Sequence, residues 1–380
     1  MEYTLEELFD LQMGKTPSRN NPEYWNTEDN KWIAIGDLSK CGKYITDTKE
    51  FLSEQAVIDS GISLIPENTV VMSFKLSIGK TAITKEPMYS NEAIMSFRDK
   101  GAVELIPEYV YYLFKAKNWD EGTNKAVMGK TLNKATLSKV KIHVCDVEEQ
   151  REIVEILDKV SSLIDARVKE LEELDNLIKS RFVEMFGNPI TNDKGWDTVE
   201  LNSICDGIGD GLHGTPEYDE NGAYPFINGN NLVNGVIEIT KATKMVNEDI
   251  YKKHFIRLTD NTILLSINGT LGKLAFYNGE EVMLGKSACY CNLKPEINKK
   301  FVYGVMKTDA FAGFLEENAT ASTIKNVGLK AIRGFKMILP PEELQIQFVI
   351  FSTQVDKLKF LLIISQRIYK EGGNRFGNKF

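Results

Sequence analysis

The sequence predicts an α+β protein that contains two copies of one globular domain, each followed by a long helix. Residues 70–83, VVMSFKLSIGKTAI, are nearly repeated as residues 263–276, ILLSINGTLGKLAF. The serine, the Gly-Lys pair and the flanking apolar residues occupy the same places in both stretches. A run of 40 residues without glycine or proline separates the two copies. An internal repeat of this kind indicates the organisation of the whole chain.

Size and composition are those of a globular, two-domain protein. The chain has 380 residues, of which 42% are hydrophobic and 26% charged, and this length suits two domains with a connector. It contains no run of about 18 apolar residues that could span a bilayer. The N-terminal MEYTLEELFD lacks the basic-then-apolar layout of a signal peptide. Five scattered cysteines indicate reduced thiols, so we expect a cytoplasmic protein.

The two predicted globular domains comprise residues 1–145 and 196–340. Both are rich in short β-type runs, such as KWIAIGDL and NTILLSI, punctuated by glycine, asparagine and aspartate. The repeat extends beyond its opening motif, because Lys130-Thr131-Leu132 resembles Ser322-Thr323-Ile324. We therefore expect the two domains to share one loop-bearing α+β fold.

A long central helix is predicted between the domains, within residues 146–187. Its apolar residues recur at spacings of three, four and seven, which is close to a coiled-coil seam. At 1.5 Å per residue, 40 residues would extend roughly 60 Å. Most of the net charge of -8 belongs here, because residues 146–187 hold twelve acids and six bases. We interpret this helix as a scaffold.

A second helix is predicted over residues 341–369, directly after Pro340-Pro341. Its start, ELQIQF, is similar to EEQREIV at the start of the central helix. The tail LLIISQRIYKEGGNRFGNKF loses the charged heptad pattern, so we expect this helix to be shortened. Two helices that each follow an equivalent domain can pack antiparallel as coiled-coil spacers. That packing would give the chain pseudo-twofold symmetry.

No catalytic centre can be assembled from the sequence. Asn21-Pro22-Glu23-Tyr24 resembles the Asn-Pro-Pro-aromatic loop of amino-methyltransferases, but glutamate replaces the second proline, and no glycine-rich turn offers a place for S-adenosylmethionine. Residues 206–211, DGIGDG, lack the phosphate-cradling GxxxxGK[ST] pattern. His143, His213 and His254 are far apart, and we find no acid or cysteine partner beside them. We therefore expect a non-catalytic chain without cofactor or metal.

Binding features are better supported than catalytic ones. Residues 122–141 contain five lysines and no acid, and residues 318–336 contain four basic residues and no acid. Lysine, arginine, serine, threonine and asparagine are the usual donors to DNA phosphates. A solvated surface at the domain edge remains the alternative, but two matched acid-free tracts favour phosphate contact.

Two further stretches in each domain carry polar side chains suited to a DNA groove. The loop GKTPSR at 14–19 is matched by GLHGTP at 211–216. In the repeated motif, polar residues alternate with apolar ones, which places the polar residues on one strand face. Where the halves differ, they would read different bases. The candidate DNA-binding residues are Lys15, Thr16, Ser18, Arg19, Ser73, Lys75, Ser77, Lys80, Lys130, Thr131, Lys134, His213, Thr215, Asn228, Asn230, Ser266, Asn268, Thr270, Lys273, Thr323 and Lys325.

These motifs together resemble a known family. GKTPSRNNPEYWN followed by KWIAIGDL is similar to the opening of a target recognition domain in specificity subunits of type I restriction–modification enzymes. The stretches EEQREIV and EELQIQF resemble the family's entries into its spacer helices. The likeness covers roughly residues 1–360 in two copies.

The resemblance implies a DNA-reading subunit of a multisubunit enzyme. Each globular domain would read one half of a bipartite double-stranded DNA target, and the helices would set the spacing between the halves. Two methyltransferase subunits would dock on the helical region and supply the S-adenosylmethionine chemistry. Restriction subunits that hydrolyse ATP would join that core.

Two other classes of function stay open at this point. One is a self-contained DNA adenine methyltransferase that uses Asn21 to Tyr24. The other is a coiled-coil adaptor whose globular ends bind protein. The missing cofactor loop argues against the first, and the duplicated basic tracts argue against the second.

Overall fold

The computed structural model describes residues 1–119, 124–126 and 129–377, and it describes side chains for residues 1–119 and 132–364. The chain forms two compact units. The first comprises Met1–Val168 with Ile363–Phe380, and the second comprises Lys169–Leu362. Each unit therefore contains one globular half and part of each long helix.

The first unit is built around a five-stranded sheet. Its central strand, Val70–Ser73, is buried along its whole length, in agreement with the apolar run Val70–Met72. Neighbouring strands are antiparallel, except that Tyr44–Ile45 runs parallel to Thr81–Thr84. In order, the strands are Phe9–Met13, Ile94–Asp99, Val70–Ser73, Thr81–Thr84 and Tyr44–Ile45.

Smaller elements complete the first unit. A three-stranded sheet has the order Glu50–Leu52, Asn30–Ile33 and Tyr89–Ser90, and two strand pairs join Glu2–Thr4 with Lys141–His143 and Asn124–Ala126 with Gly129–Thr131. The helices are Leu5–Leu8, Ile35–Leu38, Glu54–Ser60, Pro107–Ala116 and Lys134–Ser138, with a 3-10 turn at Pro22–Tyr24. The core lies between the large sheet and Pro107–Ala116, where Phe97, Phe114 and Trp119 pack edge to face.

The second unit repeats this plan with four strands in its large sheet. In order, these are Cys205–Asp210, Ala288–Leu293, Thr262–Ser266 and Leu274–Phe276, and all neighbours are antiparallel. A three-stranded sheet contains Met245–Val246, Tyr224–Ile227 and Met283–Leu284, and two strand pairs join Thr198–Glu200 with Lys336–Ile338 and Leu232–Val233 with Val236–Ile237. The helices are Glu248–Lys253, Lys299–Met306, Asp309–Glu317 and Leu329–Arg333, with 3-10 turns at Leu201–Ile204 and Gly229–Asn231.

The central helix is Val147–Phe186, 40 residues long, with the bounds that the glycine-free and proline-free run predicts. It ends before Gly187, whose φ of +76° suits glycine. In the second unit its last turns pack on the C-terminal helix, with the Phe182 and Phe348 rings 5.3 Å apart. Within the described residues, no helix is both long and apolar enough to cross a membrane.

The predicted end of the C-terminal helix at residue 369 was wrong. The helix is Glu342–Gly377, 36 residues long. Loss of the charged heptad changes what a helix can pack against, but it does not break the backbone. Two adjacent glycines lower helix propensity by about 1 kcal/mol each, and no proline follows to stop the helix.

Each long helix is tied to the globular part before it by a buried glutamine in its first turns. Gln150 accepts a hydrogen bond from the Ile106 amide (3.0 Å) and donates to the carbonyls of Glu104 (2.9 Å) and Cys145 (3.0 Å). Gln345, at the matched position, donates to one carbonyl of the preceding turn at 2.8 Å. The repeat therefore extends from the domains into the helices.

Candidate nucleic-acid interface

The repeated Gly-Lys motif of the first unit is a tight turn that follows a buried strand. Ser73 is 0% exposed, and its hydroxyl donates to the Ser77 carbonyl and accepts from the Lys80 amide at 3.1 Å. The Gly79 amide donates to the Ser73 carbonyl at 2.9 Å. Gly79 has a φ of +86°, which glycine adopts without steric cost.

The second copy of the motif reproduces the same bonds. The Ser266 hydroxyl donates to the Thr270 carbonyl at 2.6 Å and accepts from the Lys273 amide at 2.8 Å. Gly272, with a φ of +78°, donates its amide to the Ser266 carbonyl at 3.0 Å. The repeated residues therefore form the same turn in both halves.

This geometry corrects two of the predicted DNA contacts. Ser73 and Ser266 are both 0% exposed, with their hydroxyl groups bonded inside the turn. They lie on strands buried on both faces, so the predicted alternation of polar and apolar faces does not apply to them. Their role is to hold the turn, and their hydroxyl groups are not accessible to DNA.

Backbone hydrogen bonds bring the predicted segments of the first half together at one edge of the fold. The Lys15 amide donates to the Ser90 carbonyl (2.9 Å), and the Phe74 amide donates to the Ala93 carbonyl (2.9 Å). The Leu132 amide donates to the Phe74 carbonyl at 3.0 Å, which places the middle of the basic tract beside the turn. We call this surface the first edge: residues 14–19, 74–80, 90–93 and 132–134.

The second half forms a matching surface. The Leu212 amide donates to the Leu284 carbonyl (2.8 Å), and the Ile267 amide donates to the Ser287 carbonyl (3.1 Å). The Val327 amide donates to the Ile267 carbonyl at 2.9 Å. The Gly229 amide donates to the Ser287 hydroxyl at 2.9 Å, which adds the asparagine-rich loop. We call this surface the second edge: residues 211–215, 228–230, 267–273, 285–287 and 323–328.

A glycine begins each edge because the chain passes very close to a neighbouring strand end. A Cβ on Gly14 would lie 2.0 Å from the Ser90 carbonyl oxygen, and a Cβ on Gly211 would lie 2.0 Å from the Leu284 carbonyl oxygen. Neither contact is possible for a side chain. The two loops, GKTPSR and GLHGTP, are therefore matched by packing as well as by sequence.

The hydrogen bonds also correct the alignment of the two basic tracts. Leu132 and Val327 make the same bond to their turns, so Lys130 corresponds to Lys325. The sequence comparison had matched Lys130 to a residue of 322–324 instead. The similarity of residues 130–132 to residues 322–324 gave a wrong alignment, because loop lengths differ between the halves. Only the backbone hydrogen bond fixes the register.

Several predicted side chains of the first edge are engaged within the protein. The Arg19 guanidinium stacks on the Trp25 ring at 3.7 Å and pairs with Glu50, which raises the pKa of Arg19 and lowers that of Glu50. Lys15 donates to the Ser60 and Gly61 carbonyls, both at 3.0 Å. These contacts orient the loop.

A carboxylate that the sequence analysis missed lies in the middle of the first edge. Glu92 is exposed and accepts a hydrogen bond from the Thr16 hydroxyl. Burial raises its pKa, but the bond from Thr16 and the charges of Lys75 and Arg19 bring the pKa below its ordinary value. Glu92 is therefore ionised at neutral pH, as a hydrogen-bond acceptor for a base would need to be.

The remaining predicted residues of the first edge face solvent to different degrees. Ser18, Ser77 and Lys134 are exposed, and Lys75 is half-buried with its Nζ 5.2 Å from the Phe74 ring centroid. The half-buried Lys80 donates to the Ser39 hydroxyl. Lys130 and Thr131 lie outside the residues whose side chains are described.

On the second edge, His213 has an acidic partner that the sequence analysis overlooked. Its Nε2 lies 2.8 Å from Asp210 Oδ2, three residues earlier in the chain. The expectation that no acid neighbours this histidine was wrong, because the loop folds back on the strand that ends at Asp210. Both side chains reach the surface, with His213 the more exposed.

Amides and hydroxyls make up most of the rest of the second edge. Asn228 accepts from the Ser287 hydroxyl at 2.9 Å, and Asn268 donates to Asn326 at 3.1 Å. Lys325 pairs with Glu316. The exposed predicted residues are Thr215, Asn230, Thr270 and Thr323, and Lys273 is half-buried.

Two further residues, one on each edge, were missed by the sequence analysis. Lys286 is exposed and occupies the place that Glu92 has in the first half, because Ser90 and Leu284 make the same contact with their loops. Leu76 is exposed at the tip of the first turn. Neither falls on a repeated letter, so the repeat did not point to them.

The segment considered for methyltransferase chemistry has a structural role. Asn21 accepts a hydrogen bond from the Glu23 amide at 3.1 Å and so caps the short Pro22–Tyr24 turn. The Tyr24 hydroxyl donates to Asp59 at 2.7 Å. Among the described residues, no cluster of histidine, cysteine, aspartate or glutamate could hold a metal ion.

A family model matches nearly the whole chain. The model of the type I restriction modification DNA specificity domain matches residues 1–176 and 193–369. The two matched ranges contain the two globular halves, each with a large part of the helix that follows it.

Individual proteins are similar over shorter stretches. The type I restriction enzyme MjaIX specificity subunit of Methanocaldococcus jannaschii is 29% identical over 296 residues, 72% of this chain and 67% of that protein. The EcoR124I/EcoR124II specificity subunit of Escherichia coli is 29% identical over 177 residues, 43% of this chain and 41% of that protein. The chain thus spans from about two fifths to two thirds of these relatives' lengths.

A solved structure shows the same fold. That structure is described as showing the basis of complex assembly and conformational transition of the type I R-M system. It superposes with a TM-score of 0.55 at 15% identity and covers all of this chain and 96% of its own.

Proposed function

This chain belongs to the type I restriction modification DNA specificity family and is a specificity subunit rather than a catalytic one, and we propose that its two edges each read one half of a bipartite double-stranded DNA target. One observation carries the proposal. The same serine-locked turn supports both edges, while the side chains that the turns present differ. A constant backbone with variable side chains suits two related domains that read different sequences.

The chemistry of the edges fits a division of labour between positioning and reading. Lysines such as Lys75, Lys134 and Lys273 would contact phosphates, which fix the register of the protein on the duplex. Asparagines and acids would contact base edges, because asparagine matches adenine and a carboxylate accepts from cytosine in the major groove. Asn228, Asn230 and Glu92 are our candidates for that role.

The helices would connect the two readers and carry the partners. In our proposal residues 1–145 and 196–340 are target recognition domains, while residues 146–187 and the C-terminal helix are antiparallel coiled-coil spacers related by pseudo-twofold symmetry. Two methyltransferase subunits would dock on this helical region and bring S-adenosylmethionine. Restriction subunits would join them, and the assembly would act in the cytoplasm. The exposed charges of the central helix support a surface that binds protein.

Salt dependence tests whether the edge lysines touch DNA. Each phosphate contact contributes about 0.9 to the slope of log affinity against log salt. Replacing Lys75 and Lys134 with glutamine should therefore reduce that slope by about 1 to 2 and weaken binding to all sequences alike. The measurement is a fluorescence anisotropy titration of duplex DNA at several salt concentrations.

A matched control removes two lysines outside the edge. Lys49 and Lys115 are both exposed, and their replacement with glutamine should leave the slope unchanged. If the edge variant and the control variant had the same slope as the unaltered chain, the first edge would not be a DNA-binding surface.

A further inference from the structure

Leu76 has a backbone conformation that leucine rarely adopts. Its φ is +64°, in the left-handed region. Among the described residues, the other non-glycine positions with positive φ are Asn68, Asn192 and Asn234. Asparagine tolerates this region because its short side chain bonds locally, whereas the Cβ of leucine crowds the following carbonyl oxygen.

The strain is imposed by the turn. The bonds of Ser73 to Ser77 and Lys80 close the turn around Leu76. In the second half the matched residue is Gly269, with a φ of +76°. The turn therefore favours glycine at this position, and fold stability does not explain the leucine.

The Leu76 side chain is also exposed to solvent rather than packed in the core. Leu76 is 61% exposed, and it lies between Lys75 and Ser77 on an edge whose other exposed side chains are polar or charged. A strained residue that holds an apolar group in solvent points to a binding role. The neighbouring cations favour DNA over an apolar protein surface, because they would be left without partners against the latter.

We propose that Leu76 is a specificity-determining residue of the first edge that packs against the 5-methyl group of a thymine in the major groove. Apolar side chains recognise thymine through this methyl group, which distinguishes it from cytosine. The inference rests on the proposed function, since it requires that the first edge lies on DNA. Gly269 offers no side chain there, so the second edge would lack this contact.

The proposal predicts opposite effects on stability and binding. Leu76→Gly relieves the strain and should raise the midpoint of thermal unfolding by about 2–4 °C. The same variant loses the apolar contact and should bind the target roughly tenfold more weakly. Leu76→Ala keeps the strain, so it should weaken binding without the gain in stability.

Asn68→Gly is the matched control. Asn68 has a φ of +55° at the opposite end of the strand Val70–Ser73, away from the first edge. The variant changes a left-handed residue to glycine as Leu76→Gly does, and it should leave DNA affinity unchanged. A loss of affinity in this control would mean that stiffness of the sheet, and not the Leu76 side chain, governs binding.

Replacing thymine with deoxyuridine tests the partner atom. The target is first identified by methylome sequencing, and each thymine of the first half-site is then replaced singly with deoxyuridine. One replacement should weaken binding of the full-length chain about fourfold and have no effect on Leu76→Gly.

Two other results would count against the inference. If Leu76→Gly binds the target as tightly as the unaltered chain, or if every deoxyuridine is neutral, Leu76 does not read a thymine methyl group. If the unaltered chain binds no DNA alone or with its partner subunits, the proposed function fails and this inference fails with it.

Discussion

The two edges share a backbone but differ in nearly every side chain they display. Both turns are closed by a buried serine that bonds the same two backbone groups. Both also have a glycine with a positive φ, Gly79 or Gly272, directly before the lysine of the motif. The first edge carries a leucine at the tip of its turn and a carboxylate at Glu92, whereas the second has a glycine and a lysine at the matched places. The matched pairs are Lys75 with Asn268, Leu76 with Gly269, and Glu92 with Lys286.

The comparison separates the residues that close the turn from those that can differ between the two halves. Residues shared by the two halves close the turn, so they contribute to the fold of the domain. Residues that differ between the halves lie at the surface of the same turn, where they can change without disturbing the fold. Readers of two different DNA sequences would require this separation.

A second difference concerns the glutamine that ties each domain to its helix. Gln150 makes three hydrogen bonds to backbone groups, while Gln345 makes one. A hydrogen-bonding group left without its partner costs about 1–3 kcal/mol. The first tie should therefore contribute more to stability than the second.

The largest expected effect follows from that difference. Gln150→Leu should lower the free energy of unfolding of the first unit by about 3 kcal/mol, because three backbone groups lose their partner, whereas Gln345→Leu should lower that of the second by about 1 kcal/mol. Urea denaturation followed by hydrogen exchange resolves the two units. Gln55→Leu, at an exposed position, is the control and should have almost no effect. Equal losses for Gln150 and Gln345 would show that the number of hydrogen bonds does not determine how much each glutamine stabilises its unit.

A smaller effect, on specificity, separates the two edges. Glu92→Lys should change the preferred base at one position of one half-site, and Lys286→Glu should change one position of the other half-site. A carboxylate accepts from cytosine and a lysine donates to guanine, and each such contact contributes about 1–3 kcal/mol of discrimination. Selection of bound sequences from a randomised DNA pool measures both preferences.

The control for this pair is Glu67→Lys, which makes the same charge change at an exposed residue outside the edge. It should leave both half-sites unchanged. If Glu92→Lys altered the half-site that Lys286→Glu also alters, the edges would not be independent readers.

The features that sequence predicted well are those set by local patterns. A run without glycine or proline predicts the helix Val147–Phe186, and the structure gives it those bounds. The repeat predicted that the two domains share one fold, and the same hydrogen bonds close the turn of the repeated motif in both. Periodicity and breakers act over a few residues, so one sequence suffices to detect them.

The features that sequence predicted badly depend on distant contacts. Ser73 was expected to face DNA because polar residues alternate along its strand, but the strand is buried on both faces. Lys130 was matched to the wrong residue because the bond that sets the register joins Leu132 to Phe74, 58 positions earlier in the chain. The strain at Leu76 is a property of the closed turn, and no propensity scale applied to its neighbours indicates it.

The most direct test of independent reading is an exchange of one domain. Residues 1–145 are replaced with the equivalent domain of a relative whose target is known, and the chimaera is expressed with methyltransferase subunits in cells whose methylome is then sequenced. We expect one half of the methylated target to change to that of the donor, while the other half and the gap between them stay as they were. A change in both halves, or in neither, would show that the two domains do not read DNA independently.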